Sequence, residues 1–292
     1  MNIEKCGFVT ILGQPNAGKS TLTNLLVGGK VSIVSKKVQT TRVKTLGIVI
    51  SNHSQIILLD TPGIFSPKKE IEKILVNNAW SAIDGVDVFL VLIDVSFKDN
   101  SFSVEILKRL KSGRPIFLVF NKIDKLSNVQ KDHLLEPFKD IQNITKVFYI
   151  SALNGDGVDT LLQEICHCLP YHPWLYPEDI ITTQPEAVWA AEITREQIFK
   201  QLHEELPYEI YVEPEFFERF NNGDIKISQS IIVARDGQKG IVLGHKGARI
   251  KKIGQEARSD MEIQMECKVH LNLFVKVKEN WIENKNFLKM LK

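Results

Sequence analysis

Residues Gly13 to Ser20 read GQPNAGKS, a full G-x-x-x-x-G-K-S phosphate loop. This motif constrains the chain more than any other stretch, because it works only between a strand that delivers the first glycine and a helix that starts at the lysine. Both neighbours fit: Phe8 to Leu12 is an apolar strand, and Leu22, Leu25 and Leu26 recur at helical spacing. A turn through Gly18 aims successive backbone N–H groups at phosphate oxygens over a helix N-terminus. In that cradle Lys19 neutralises the β- and γ-phosphates and Ser20 holds Mg²⁺, with Gly13, Asn16, Ala17, Gly18 and Thr21 completing the candidate nucleotide-binding run.

Which nucleotide fills the loop is decided further on. Asn121 to Asp124 read NKID after the apolar run Pro115 to Phe120. The Asp124 carboxylate suits guanine, which offers both N1–H and a 2-amino group, whereas adenine would leave it buried and unpaired. Asn121 is expected to brace the phosphate loop and Lys122 to lie along the base. In Ser151-Ala152-Leu153 the amide of Ala152 is expected to donate to guanine O6. Between these motifs, Asp60-Thr61-Pro62-Gly63 ends the run Gln55 to Leu59; Asp60 can reach Mg²⁺ through water and the Gly63 amide can sense a γ-phosphate. DTPG or NKID alone is an ordinary turn. Four motifs in the order phosphate loop, D-x-x-G, N-K-x-D and S-A, with strands before each, specify a guanine-nucleotide site.

The remaining organisation reads as two domains, the natural division of 292 residues with 43% hydrophobic content. Strands at Phe8 to Leu12, Lys44 to Ile50, Gln55 to Leu59, Val86 to Ile93, Ile116 to Phe120 and Val147 to Ile150 alternate with helical segments. That alternation predicts a doubly wound α/β sheet over residues 1–172, with its motifs at strand C-termini. Pro170, Pro173, Pro177 and Pro185 then mark a semi-rigid linker, placed at residues 173–189. Residues 190–292 follow as helix (Glu192 to Leu206), strands (Glu209 to Val212, Ile225 to Ala234), two helices, a strand (Leu271 to Val277) and a terminal helix.

Inside this second part, Gly244-His245-Lys246-Gly247 forms a G-x-x-G loop before a helix with a buried face at Ile250, Ile253, Ala257 and Met261. Lys239, Lys246, Arg249, Lys251 and Lys252 fall between Gln238 and Gln255 with no acid among them. Such a loop clamps an RNA backbone, and the basic run supplies the electrostatic attraction. Net charge is +2, yet the chain from Lys239 onward holds twelve Lys/Arg against six Asp/Glu, +6, which leaves −4 upstream. The basic end is expected to face a polyanion. Cys6, Cys166, Cys168 and Cys267 form no disulfide framework, and Cys166-His167-Cys168 sits on a helix without a second ligand pair, so reduced cytosolic thiols are expected. The longest apolar run, Val88 to Ile93, is too short to span a bilayer, so a soluble chain is expected.

With these residues in view, the sequence resembles the Era family of bacterial GTPases of small ribosomal subunit assembly. The resemblance is carried by the four nucleotide motifs, Gln39-Thr40-Thr41-Arg42, Ile64 and Pro67-Lys68 after DTPG, LYPED at Leu175 to Asp179, ELPYE at Glu205 to Glu209, the G-x-x-G segment and VKVKENW at Val275 to Trp281. Gln14 and Ala17 stand where the family usually has Arg and Val, and His245 replaces a usual Lys.

The resemblance implies a P-loop GTPase sheet followed by an α+β type II KH domain. It implies binding of GTP and GDP, and of 16S rRNA near its 3′ end on the small ribosomal subunit. It puts Thr41, with Thr40 beside it as the alternative, on Mg²⁺ together with Ser20 and Asp60. Gly244, His245, Lys246, Gly247, Lys239, Arg249, Lys251 and Lys252 become the RNA-binding set. Ile64 occupies the position where many GTPases carry a water-orienting Gln, so slow hydrolysis is expected and no catalytic base is assigned. Asn16 is a candidate K⁺ ligand that would compensate. A monomer in the cytoplasm, with peripheral contact at the cytoplasmic face of the inner membrane, completes the expectation. Two competing classes are disfavoured. The loop lacks the bulky apolar insertion of a membrane-docking module, and no reactive C-terminal cysteine context of a tRNA-modifying GTPase is present.

Overall fold

The computed structural model describes residues 4–35, 45–61, 63, 76, 77, 79, 80, 85–97, 99–110, 113–126, 133–202, 206–279 and 281. The chain divides into two units, Met1–Ser32 with Thr41–Thr183, and Ile33–Thr40 with Gln184–Lys292.

The first unit is built on strands β1 (Lys5–Gly13), β2 (Thr45–Ser51), β3 (Ser54–Asp60), β4 (Val88–Asp94), β5 (Ile116–Asn121) and β6 (Lys146–Ile150). They lie in the order β2-β3-β1-β4-β5-β6, with β2 antiparallel to β3 and every other pair parallel. Helices α1 (Lys19–Val27), α2 (Ser101–Arg109) and α3 (Val158–Cys168) contribute to its two cores. A parallel sheet covered on both faces needs strands that are apolar at every position. β4 meets that demand: Val88, Leu90 and Leu92 join one core with Leu22 of α1 and Leu161 of α3, while Phe89, Val91 and Ile93 join the other with Ile106 and Leu107 of α2. β1 lies between β3 on one side and β4 on the other. Open α/β sheets hold ligands beyond the strand C-termini at such a switch point.

The expected linker is not a free tether. Gln55, fully buried on β3, accepts from the amides of Leu175 (2.8 Å) and Tyr176 (3.0 Å) and donates to the Tyr176 carbonyl (2.7 Å). The Cys6 amide donates to the Pro170 carbonyl (3.2 Å) and the Ile48 amide to the Ile181 carbonyl (2.8 Å). One glutamine side-chain amide pairs with its peptide groups, and the segment as far as Thr183 belongs to the first unit. The last residues of the expected linker, from Glu186, are instead the first turn of a helix.

In the second unit, α4 (Glu186–Gln201), α5 (Asp236–Leu243) and α6 (Ala248–Met265) contribute to the cores of a sheet of β7 (Tyr211–Arg219), β8 (Ile225–Val233) and β9 (Val269–Val277). β7 runs antiparallel to β8 and β9 runs parallel to it. A register shift between Pro214 and Phe216 lets Val212 and Phe217 both join the core. The buried face of α4 is polar in part: Thr194 Oγ1 donates to Gln229 Oε1 (2.6 Å), and Gln197 Nε2 to Asp260 Oδ2 (2.6 Å). Ile33, 3% exposed, belongs to the core cluster of Ala190, Ile193, Ile225, Ala257 and Met261.

Candidate functional site

The phosphate loop connects β1 to α1. Gly13 has φ 150°, and a Cβ there would lie 2.5 Å from the Leu92 carbonyl oxygen; Gly18 has φ 99°, and a Cβ there would lie 2.2 Å from Asn121 Nδ2. Close approach as well as backbone conformation therefore requires glycine at both positions. Asn16 between them is left-handed too (φ 64°), a conformation that asparagine tolerates.

Lys19 folds back over the loop, its ammonium donating to the carbonyls of Gly13 (3.1 Å) and Gln14 (2.9 Å). Burial lowers its pKa to about 8, partly opposed by the Asp60 carboxylate. Ser20 Oγ donates to Asp60 Oδ2 at 2.9 Å, so a hydroxyl and a carboxylate converge from α1 and β3. Gly63 lies against the loop: a Cβ there would come within 3.0 Å of Pro15.

The base-reading motifs are joined to the loop by one buried side chain. Asn121, 2% exposed, donates from Nδ2 to the Ala17 carbonyl (2.8 Å) and accepts at Oδ1 from the Ala152 amide (2.9 Å). The bracing role expected for Asn121 matches this contact. The Ala152 amide is the group expected to meet guanine O6, and the ends of β5 and β6, with Asn121 paired to Ile150, set it beside Asn121. Asp124 Oδ1 accepts from Ser151 Oγ (2.6 Å), and the Asn154 amide donates to the same hydroxyl (3.3 Å). Lys122, at φ 69°, donates to the Asn16 carbonyl (2.6 Å) and to Asp94 Oδ2 (2.5 Å). Asp94, at the end of β4, was not among the sequence candidates. Nothing in its local sequence marks it; the strand pairing Asp94 with Asn121 does.

In the second unit the G-x-x-G loop joins α5 to α6. Gly244 (φ 70°) would push a Cβ within 2.7 Å of Arg249 Cβ, and Lys246 itself is left-handed (φ 47°). His245, Lys246, Arg249, Lys251 and Lys252 are exposed and Lys239 is half-buried. Ile253, Ala257 and Met261 are fully buried, as the periodicity predicts, and Ile250 packs partly buried against the cluster that holds Ile253. Arg249 also has a structural contact, its Nη1 donating to the Ile241 carbonyl across the turn (2.5 Å). Thr40, Thr41, Ile64, Pro67-Lys68, Glu205 and the terminal helix lie outside the described residues. No cluster of three metal-ligating side chains and no membrane-spanning helix occurs among the described residues.

A phosphate loop after β1 of a 2-3-1-4-5-6 sheet, with Asn121, Asp124 and Ser151 gathered at adjacent strand ends, defines a P-loop GTPase, here carrying a second α+β unit with a KH-type loop. Comparison with known proteins agrees. Residues 8–122 match the family described as 50S ribosome-binding GTPase, and residues 205–282 match the KH domain. GTPase Era of Brucella suis is 47% identical over 284 residues, covering 95% of this chain and 89% of its own. That of Ehrlichia canis is 44% identical over 284 residues, covering 97% and 96%. Among solved structures, a variant of Aquifex aeolicus Era bound to GDP·AlF4⁻ superposes with a TM-score of 0.92 at 38% identity, covering 98% of both chains. Era in complex with MgGDPNP and nucleotides 1506–1542 of 16S ribosomal RNA gives 0.90 at 38% identity, covering 99% of this chain and 98% of that one. The chain belongs to the GTPase Era family.

Proposed function

We propose that this chain is a GTP-binding, slowly GTP-hydrolysing switch that binds small-subunit rRNA near its 3′ end and assists small ribosomal subunit assembly. The observation that carries the nucleotide half is the Asn121 bridge, which ties the loop that takes phosphates to the strand ends that read the base. Lys19 meets the phosphates, Asp124 accepts from guanine, and Ser151 holds Asp124 in place. Ser20 and Asp60 offer hard oxygen donors 2.9 Å apart, a set that suits Mg²⁺, with Thr41 as the further ligand. When bound, the ion would supply positive charge to the transferring phosphoryl group. Asn16 is the proposed K⁺ ligand; equal turnover in K⁺ and Na⁺ buffers would remove it from that role.

The RNA half rests on the exposed basic rim around Gly244 to Gly247 and on family membership, since a relative has been solved with that segment of 16S rRNA. Lys239, Lys246, Lys251 and Lys252 supply the charge, His245 offers a ring N–H, and Arg249 both shapes the turn and adds to the charge. The reading implies a protein that works in the cytoplasm. It is tested by titrating the 3′-end rRNA segment against the whole chain with a non-hydrolysable GTP analogue, with GDP and with no nucleotide. A nucleotide-dependent affinity is expected; identical affinities in all three would overturn the switch, and no binding in any would overturn the RNA assignment. By reciprocity, any factor by which GTP tightens RNA is the factor by which RNA tightens GTP.

A further inference from the structure

The Asp94 carboxylate, 7% exposed at the end of β4, takes no part in the nucleotide chemistry described so far. Its Oδ2 accepts from Lys122 at 2.5 Å, and its Oδ1 from Ser96 Oγ (2.5 Å) and the Ser96 amide (3.0 Å). Burial pushes this carboxyl up, but the bonds from Lys122 and Ser96 outweigh it and hold it below the usual carboxylate range, so it stays ionised at neutral pH. Lys122 is thus gripped from two sides, by the Asn16 carbonyl and by a fixed negative charge.

A free ammonium at the edge of a nucleotide site would be drawn toward the phosphates, and its four-carbon stem would swing with it. In the pair with Asp94 the two charges offset each other and the stem is spatially fixed. We propose that Asp94 is the positioning residue for the guanine base: it clamps and neutralises Lys122, so that the lysine presents a rigid methylene shelf to the base instead of a mobile charge. The proposal rests on the guanine-nucleotide reading above and adds to it the group that makes Lys122 work. It has a consequence that a purely structural ion pair would not have. The effect of Asp94 must run entirely through Lys122, must be the same for GDP and GTP, and must spare the chemical step.

The test uses the full chain with Mg²⁺, GDP affinity by calorimetry and steady-state GTP turnover. Asp94→Asn is expected to raise the GDP Kd and the GTP KM together by roughly ten- to 150-fold, the range of one charge-assisted hydrogen bond, leaving kcat within about twofold. Lys122→Met should match it, and the double variant should be no worse than Lys122→Met alone. Losses that multiply in the double variant, or GDP affinity in Asp94→Asn within about twofold of the wild type, would overturn the proposal. Should Asp94→Asn fail to fold, Ser96→Ala removes one support of the carboxylate and spares the strand. It should raise KM about threefold in the wild type and not at all beside Lys122→Met, and an unchanged KM in the wild type counts against the proposal. Variants that bind GTP as tightly as the wild type refute only this inference, whereas a wild-type chain without GTP affinity refutes the guanine reading as well.

Discussion

Replacing Asn121 by alanine removes two hydrogen bonds at once, the 2.8 Å bond to the Ala17 carbonyl and the 2.9 Å bond from the Ala152 amide. Both sit where Asn121 is 2% exposed, so their partners lose a mate without ready access to water. A buried group stranded in this way costs on the order of 1–3 kcal/mol, and water entering the vacated space recovers part of it. We expect a total near 3 kcal/mol, divided between folding and nucleotide binding, or roughly 150-fold if it falls wholly on affinity. The bridge joins loop to base pocket, so GDP and a GTP analogue should lose equally. Calorimetric titration of both ligands and thermal unfolding of the nucleotide-free protein, summed, measure the total. A variant that keeps wild-type affinity and stability refutes the reasoning. So does a loss confined to the GTP analogue, which would put Asn121 at the γ-phosphate.

Asp124→Asn converts the guanine acceptor into an amide and should weaken GTP by on the order of 2–3 kcal/mol while favouring xanthine nucleotides, read by competition binding. Replacing both His245 and Lys246 by Asp should abolish binding of the rRNA segment and leave GTP affinity unchanged in the same preparation; both side chains are exposed, and aspartate tolerates the left-handed backbone at 246. Burial holds Lys19 at about 8 against an ordinary 10.5, so between those values the unfolded chain carries more of that proton and the stability of the nucleotide-free protein should rise with pH. Phosphates should restore the charge. Nucleotide binding near pH 8 should therefore take up about half a proton, falling toward none at pH 6.5, as read by calorimetry in buffers of different ionisation enthalpy.

Much of the first unit is legible in its sequence because a doubly covered parallel sheet demands unbroken apolar runs, and β4 and β5 supply them. The motif residues were legible for the same reason, since they follow those runs directly. Elsewhere the periodicity misleads. β7 reads as ending at Val212, yet it runs to Arg219, because the register shift after Pro214 resets which residues face the core. The start of α4 was hidden behind Pro185, which reads as linker punctuation but stands just ahead of the helix, where proline is well tolerated. Thr194, Arg195, Glu196 and Gln197 are all buried on that helix, and Thr194 and Gln197 are matched by partners on β8 and α6 that no local pattern announces. Asp94 escaped for the same reason: its meaning comes from the neighbouring strand.

The core of the second unit includes Ile33, more than 150 positions ahead of Gln184, where the main stretch of that unit begins. The polypeptide passes between the two units three times, so the RNA-binding half is not a cassette that one cut can excise. A gene fragment beginning at Gln184 would encode the sheet, the loop and the basic helix but omit one isoleucine from their interior, forfeiting about 1.5–3 kcal/mol of apolar burial. Supplying that side chain from a grafted peptide, or filling its place from within the fragment, becomes the condition for studying the module alone.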